Sequence, residues 1–364
     1  MATRRASRTC AGSSRSPGVD GDVAIHDLPA LTTLDGLSAL TRVASDFAVY
    51  ANDELTNVAG LSALSEVVGG LTVYGNAKLA TLTGIETLHS AGGISVAENA
   101  ALTNVDGLVS LVSTSVHIYN NDALTNLEGL RSLETGSVNV YGNPQLDTLE
   151  GLRNLTHANV FQVFGSPGIT SLHGLEQLQT VGDLFIVDSN ITDLRGLDGL
   201  KSANGNAQIS NLPLLASLSG LEQLEFVGRL YLGSCPQLRS LAGLDSLAGV
   251  DQLDLVDSSV SDLTGLESLT TLGTLIVSDN TALTSLHGLE QLSGLGVDLS
   301  LSGNALLSNL HGLDALDYVN GSFAIKDNPS LPTCEAERLR DLIGVDNIGQ
   351  ALEIAGNDDD GVCP

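Results

Sequence analysis

The stretch "NVYGNPQLDTLEGLRNLTHA", residues 139–158, recurs in variant form along most of the chain. "LTVYGNAKLATLTGIETLHSA" occupies residues 71–91, and "LSLSGNALLSNLHGLDALDYV" occupies residues 299–319. The glycine of each Gly-Leu or Gly-Ile pair marks the period, 22 to 24 residues, and falls at Gly36, Gly60, Gly84, Gly107, Gly129, Gly151, Gly174, Gly196, Gly220, Gly243, Gly265, Gly288 and Gly312. Such a period predicts a solenoid, because one unit buries its apolar face only against stacked neighbours.

Each period contains two apolar patterns. Val138 and Val140 alternate with outward residues, which predicts a strand. Leu146, Leu149 and Leu152 lie three apart, a spacing that fits neither a strand nor an α-helix. It favours 3₁₀ or polyproline-like segments and bends that point every third side chain inward. We therefore predict coils with one main parallel strand and a tightly turning return.

The consensus N-x-x-L-x-x-L-x-G-L-x-x-L-x-x-V-x-G-x-L-x-V resembles the leucine-rich-repeat group, and in particular the receptor L domain repeats of insulin-receptor-type ectodomains and secreted bacterial relatives. The resemblance covers residues 20–332 approximately. It implies a mostly β, right-handed parallel β-solenoid of about 14 coils that serves as a binding scaffold. Such a fold does not specify the partner.

Three parts are expected: a disordered basic tail (1–18), the solenoid (19–332) and a C-terminal cap (333–364). The tail carries four Arg and no acidic residue. It lacks the apolar core of a signal peptide. The repeats begin almost at once with no obvious N-terminal cap, and this favours a misassigned or truncated start. No apolar run reaches the ~20 residues that cross a bilayer, so we predict no membrane insertion.

The cap sequence "PTCEAERLRDLIG" predicts a short helix. Thr333 is the expected N-cap, Gly344 the stop, and Leu339, Leu342 and Ile343 lie on the buried face together with Ala336. The cap resembles those of secreted bacterial L-domain-like proteins, and this implies a disulfide between Cys334 and Cys363. A disulfide implies an oxidising compartment, so we expect an extracellular or cell-surface protein.

Polar residues also recur at fixed positions of the repeat. An Asn after the main strand is interpreted as a buried ladder that satisfies turn N–H and C=O groups; it recurs at Asn52, Asn76, Asn99, Asn121, Asn143, Asn280, Asn304 and Asn328. In other coils Ser166, Leu212, Cys235 or Ser258 takes its place.

Seven successive coils carry an acidic residue after the Gly-Leu pair, a set we name the acidic column: Glu176, Asp198, Glu222, Asp245, Glu267, Glu290 and Asp314. Stacked carboxylates about 4.8 Å apart repel one another, so something must compensate them. We favour capping of turn N–H groups. Binding of Ca²⁺ by these carboxylates is the alternative. Because we favour capping, we predict no metal or other cofactor.

The formal net charge of −28 makes nucleic acid an improbable partner. Catalytic groups do not stand apart from the repeat, so we predict that the protein is not an enzyme.

The candidate binding site is an outward column in the N-terminal half, which we name the aromatic strip: Tyr50, Tyr74, Tyr119, Tyr141 and Phe164. Ala97 interrupts it. The rings could only stabilise the sheet, or they could bind a protein or a glycan at the cell surface. We favour an exported binding scaffold. The alternatives are a structural or adhesive spacer without a specific ligand and a Ca²⁺-stabilised adhesin.

Overall fold

A computed structural model describes residues 17–363. The predicted tail lies almost wholly outside the described residues, but Pro17 and Gly18 join the first coil. The carbonyl oxygen of Pro17 accepts a hydrogen bond from the Thr41 N–H at 2.9 Å. Gly18 pairs with Arg42. The first coil of the solenoid therefore includes Pro17.

All strand pairings among the described residues are parallel. The strands are β1 (Gly18–Val19), β2 (Val23–His26), β3 (Arg42–Val43), β4 (Phe47–Tyr50), β5 (Glu66–Tyr74), β6 (Ser90–Ala97), β7 (Val116–Tyr119), β8 (Val138–Tyr141), β9 (His157–Phe164), β10 (Thr180–Val187), β11 (Ser202–Ser210), β12 (Phe226–Cys235), β13 (Gly249–Ser258), β14 (Leu272–Ser278), β15 (Gly294–Leu295), β16 (Leu299–Ser302), β17 (Tyr318–Val319), β18 (Phe323–Lys326) and β19 (Leu352–Ala355).

The main strands stack in register. Val138 of β8 lies between Val116 and Phe161 of the neighbouring coils. A shorter second ladder runs beside the main one, as where Val181 pairs with Ala158. Long strands such as β10 contribute to both ladders. The parallel solenoid is therefore confirmed, and most coils add a second short strand or strand extension that the sequence did not predict, while the coils of β7 and β8 have only isolated bridges there.

Thirteen returns between the first and last main strands contain the Gly-Leu or Gly-Ile pair, and the final return contains the α-helix α1 (Thr333–Ile343). Some returns hold a 3₁₀ helix, as the spacing of three predicted. Leu146, Leu149 and Leu152 are each fully buried. The 3₁₀ helices are Asp35–Leu37, Ala59–Leu61, Asp106–Leu108, Glu128–Leu130, Glu150–Leu152, His311–Leu313 and Val345–Asn347.

The asparagine ladder is present and buried. Asn121 donates through Nδ2 to the Val96 and Tyr119 carbonyl oxygens at 3.0 and 3.1 Å. Its Oδ1 accepts the Asn99 backbone N–H at 3.1 Å. Cys235 replaces Asn in β12, where burial raises the pKa of its thiol to about 11. A thiol with this pKa stays protonated at neutral pH and fills the position as a small apolar group.

The cap matches the prediction in outline and differs in two residues. The structure joins Cys334 to Cys363, with the two Cα atoms 6.1 Å apart. Thr333 is the first helical residue rather than the N-cap, and its hydroxyl donates to Asp359 Oδ1 at 2.6 Å. Leu342 is 52% exposed, because the buried face of α1 is formed by other residues, among them Leu339. Gly344 ends the helix, as predicted.

The chain bends after each main strand through one residue with positive φ. Ala51 has φ 53° at this position, and Gly75 of the next coil has φ 61°. A residue with a side chain loses roughly 1–2 kcal/mol of folding stability when its backbone adopts the left-handed region. Glycine adopts this region without that cost, but its greater freedom in the unfolded chain lowers stability by about 0.5–1 kcal/mol. We expect Ala51→Gly to raise the free energy of unfolding by up to about 1 kcal/mol.

Urea denaturation measures this change. Gly75→Ala is the matched control, because a Cβ on Gly75 would have only the Ala51 nitrogen nearby, at 4.0 Å, so that φ alone sets its cost. We expect Gly75→Ala to lower stability. An Ala51→Gly variant less stable than the wild type would contradict this account of the bend.

Candidate binding face

Parallel register places the aromatic strip in one column on the outward face of the main sheet. Tyr50 pairs with Tyr74, and Tyr119 with Tyr141, which pairs in turn with Phe164. Beyond Phe164 the column carries no further aromatic residue; it continues as Val187, Ser210, Gly233, Val256, Ser278, Ser302 and Lys326. The structure therefore aligns the sequence-predicted residues as expected.

Within the described chain, the rings of this column stack in two pairs rather than in one row. The Tyr119 and Tyr141 centroids are 4.7 Å apart, with the ring planes 8° from parallel. His26 stacks on Tyr50 at 4.6 Å. His26 occupies the same repeat position one coil earlier and was not among the predicted residues of the strip. The outward column therefore has a ring one coil earlier than the sequence predicted, at His26, and its rings do not form one continuous stack.

Tyr74 stands apart from both pairs. Its neighbour in the next coil is Ala97, which is fully buried and offers no ring. The Tyr74 hydroxyl instead donates to Glu98 Oε2 at 2.7 Å, and this hydrogen bond raises the pKa of the phenol. Tyr74 and Phe164 are 37% and 39% exposed, so part of their apolar surface is accessible to a partner.

A second outward column lies beside the aromatic strip. In the N-terminal half it holds the small or polar residues that the sequence indicated: Ala48, Thr72, Ser95, His117, Asn139 and Gln162. In β10 and β12 the same column holds Phe185 and Tyr231. Phe185 and Tyr231 were not predicted from the sequence, because they stand in a different column from the aromatic strip and are two coils apart.

Six members of the acidic column cap the turn glycine two residues before them. Glu222 Oε2 accepts the Gly220 N–H at 2.8 Å, and Glu290 Oε2 accepts the Gly288 N–H at 2.9 Å. Asp314 differs, because it pairs with Arg338 of α1 at 2.8 Å. The remaining four contacts are Gly174 to Glu176, Gly196 to Asp198, Gly243 to Asp245 and Gly265 to Glu267. These contacts fit the capping interpretation; cation binding by the column stays an alternative prediction.

The form of the turn explains where the acidic residue stands. In four returns with a 3₁₀ helix, among them Glu128–Leu130, the carboxylate precedes the glycine, whereas the 3₁₀ helix His311–Leu313 is followed by Asp314. In returns where the glycine has positive φ, such as Gly220 at 112°, the carboxylate follows it and reaches back to its N–H. The acidic column is therefore mainly a property of this second turn form.

Histidines in this region pair with the acidic column. His287 Nδ1 lies 2.6 Å from Glu290 Oε1, and this hydrogen bond raises the pKa of the imidazole. His173 and Glu176 form the same pair at 3.0 Å. Among residues 17–363, the structure brings no three His, Cys, Asp or Glu side chains together as a metal site. No helix in that range is long and apolar enough to cross a membrane.

Comparisons with known proteins give a fold likeness and little more. No protein-family model matches the sequence, and the search of curated proteins found no match. One similar solved structure is an internalin from Listeria monocytogenes, with 16% identity, a TM-score of 0.46 and coverage of 87% of this chain and 81% of that one. Another is a leucine-rich-repeat protein from Leptospira interrogans, with 18% identity, a TM-score of 0.43 and coverage of 92% and 90%.

At these identities and scores, the assignment of the fold rests on the chain's own geometry. The chain has a repeat of 22 to 24 residues, stacked parallel strands and a buried Asn ladder. They make the chain a parallel β-solenoid whose coils are rich in leucine.

Proposed function

We propose that this protein is a non-enzymatic recognition scaffold that binds an extended partner along the aromatic strip. The placement of the aromatic residues carries the proposal. Aromatic residues make up only 3% of the chain, yet five of them stand in one outward column within six successive coils. Exposed aromatic clusters are typical of interaction surfaces.

A protein segment is the favoured partner, and a glycan is the other ligand class that flat rings suit. The net charge of −28 supports a basic protein surface, since an acidic molecule attracts one over long range. The Tyr hydroxyls at the edge of the strip add hydrogen-bonding groups to an apolar surface, a combination common in protein interfaces.

We place the protein outside the cell or on its surface. The support is the Cys334–Cys363 pair, because disulfides persist mainly in oxidising compartments. The other described cysteine, Cys235, is buried and is not paired.

A structural spacer is the second candidate, and the stacked pairs favour it. Tyr119 and Tyr141 already contact each other face to face, which would stabilise the sheet without any ligand. In that case the length of the solenoid is the function, and the rings contribute packing alone.

Selection of ligands separates the two candidates. A displayed random-peptide library and a glycan array would be probed with the disulfide-bonded chain. The scaffold proposal expects selected ligands that protect Tyr119, Tyr141 and their neighbours from hydrogen exchange or tyrosine modification. The spacer alternative expects no selected ligand, and ligands that protect only the opposite face of the coils would contradict the proposed site.

A further inference from the structure

A pocket of about 330 Å³ opens on the outward face of β10, β11 and β12, beyond the end of the aromatic strip. Its lining includes Phe185, Asn206, Gln208, Arg229 and Tyr231. Its volume lies at the small end of the roughly 300–1,000 Å³ range of small-ligand sites. The strip and the pocket share no residue, so the pocket is a separate candidate site.

Two aromatic side chains stand at opposite sides of this pocket. Phe185 and Tyr231 occupy one column and are separated by Gln208, so their Cα atoms are about 10 Å apart at the usual strand spacing. A Cβ on Gly233 would lie 2.5 Å from the Tyr231 ring. The ring therefore lies over the glycine of its own strand, and the absence of a side chain at Gly233 gives it that position.

The guanidinium of Arg229 is held in place by a buried carboxylate of the next coil. Its Nε donates to Asp254 Oδ2 at 2.6 Å, and the Asp254 side chain is only 3% exposed. Gln252 Nε2 donates to both Asp254 oxygens, at 3.0 and 3.1 Å. The Nη groups of Arg229 have no hydrogen-bond partner among residues 17–363, and they remain available as donors to a ligand.

Two amides add acceptors to the same pocket. Asn206 Nδ2 donates to Asp183 at 3.1 Å, and Gln208 Nε2 donates to Ser210 at 2.9 Å. These contacts use the amide nitrogens and orient the side chains. Within the described chain, the carbonyl oxygens of both amides lack a hydrogen-bond donor, so they can accept from a ligand.

We propose that this pocket binds one neutral, hexose-sized sugar ring. A pyranose presents C–H groups that pack on the faces of Phe185 and Tyr231, and hydroxyls that both donate and accept. The charge of Arg229 is already matched by Asp254, and the protein's net charge of −28 disfavours an anionic ligand. A cationic ligand is disfavoured because the guanidinium of Arg229 would repel its charge.

Saturation-transfer NMR and titration calorimetry would test this with free methyl glycosides of glucose, galactose and mannose and with N-acetylglucosamine. N-acetylneuraminic acid and N-acetylarginine amide serve as charged comparison ligands. We expect the wild-type protein to bind at least one neutral pyranose. We expect Tyr231→Ala to weaken that binding by at least about tenfold.

Gly233→Ala provides a second variant that leaves the lining residues intact. The added methyl group displaces the Tyr231 ring, so it should also weaken sugar binding by at least about tenfold without removing any polar contact. It keeps the test valid if Tyr231→Ala folds poorly. Tyr318→Ala removes a part-exposed aromatic ring outside both the pocket and the aromatic strip and should leave the affinity within about twofold.

Three results would overturn the proposal. They are an absence of binding by every neutral sugar, binding confined to the charged ligands, and sugar binding that Gly233→Ala and Tyr231→Ala leave unchanged. Because the pocket and the aromatic strip share no residue, failure here leaves the proposed role of the strip untouched.

Discussion

Gly129→Ala should lower the free energy of unfolding by at least about 3 kcal/mol, at or above the upper end of usual overpacking costs. A Cβ on Gly129 would lie 1.8 Å from the carbonyl oxygen of Val105 in the preceding coil. That neighbour is backbone, so no change of rotamer relieves the overlap. The coils would have to separate, and burial of the shared core would be lost along with their hydrogen bonds.

Gly36→Ala is the matched control, because Gly36 holds the same repeat position in the first coil. A Cβ on Gly36 would meet no atom within 4 Å. Its expected effect is within about 0.5 kcal/mol, as for most surface substitutions. Chemical denaturation of both variants measures the difference. Equal destabilisation of the two variants would mean that the glycine is required by the conformation of its own turn and not by the close contact between coils.

Asn121→Ala should destabilise the protein by about 3–5 kcal/mol. The change removes donors to the Val96 and Tyr119 carbonyl oxygens and the acceptor for the Asn99 N–H. Asn121 is fully buried, so water cannot replace these bonds without opening the coil. Each buried polar group left without a partner costs about 1–3 kcal/mol.

Cys235→Ala is the control for the asparagine ladder. Cys235 occupies the equivalent position, and its Sγ lies 3.3 Å from the carbonyl oxygen of Gly233 as a weak donor. We expect a loss below about 1.5 kcal/mol, because a small apolar group is all that is removed. If the two variants lost equal stability in urea denaturation, the ladder's hydrogen bonds would not be its main contribution.

Most of the fold follows from periodicity in the sequence. Leucines three apart and valines two apart define a coil, and the recurring Asn identifies its buried corner. The second short ladder was missed because its two-residue strands, such as Gly294–Leu295, are too short to show an alternating pattern. Leu342 was misplaced because the helical pattern alone does not fix which side of α1 meets the last coil.

The candidate sites were predictable to different degrees. Alignment of repeats was enough to find the aromatic strip, since parallel register carries equal positions into one column. The pocket depends on residues from three coils and two columns, and on the room that Gly233 leaves for Tyr231. Packing of this kind depends on side-chain positions, which a repeat alignment does not contain.

The double variant Tyr119→Ala/Tyr141→Ala tests the role of the aromatic strip. Both rings lie on the outer face of the sheet, so their loss opens no cavity in the leucine core. If the aromatic strip binds a ligand, the double variant should lose ligand binding and keep its fold. If the rings only pack against each other, the double variant should lose about 0.5–1.5 kcal/mol of stability for one stacked pair and keep its binding. Ser278→Ala/Ser302→Ala, in the same column, is the matched control.

The deciding measurement is the affinity of a selected peptide or glycan for this double variant, expressed per folded molecule, with the melting temperature taken on the same preparation. The recognition account predicts that binding is lost and that the melting temperature stays close to that of the Ser278→Ala/Ser302→Ala control. A variant that melts at a lower temperature and still binds with wild-type affinity would contradict it.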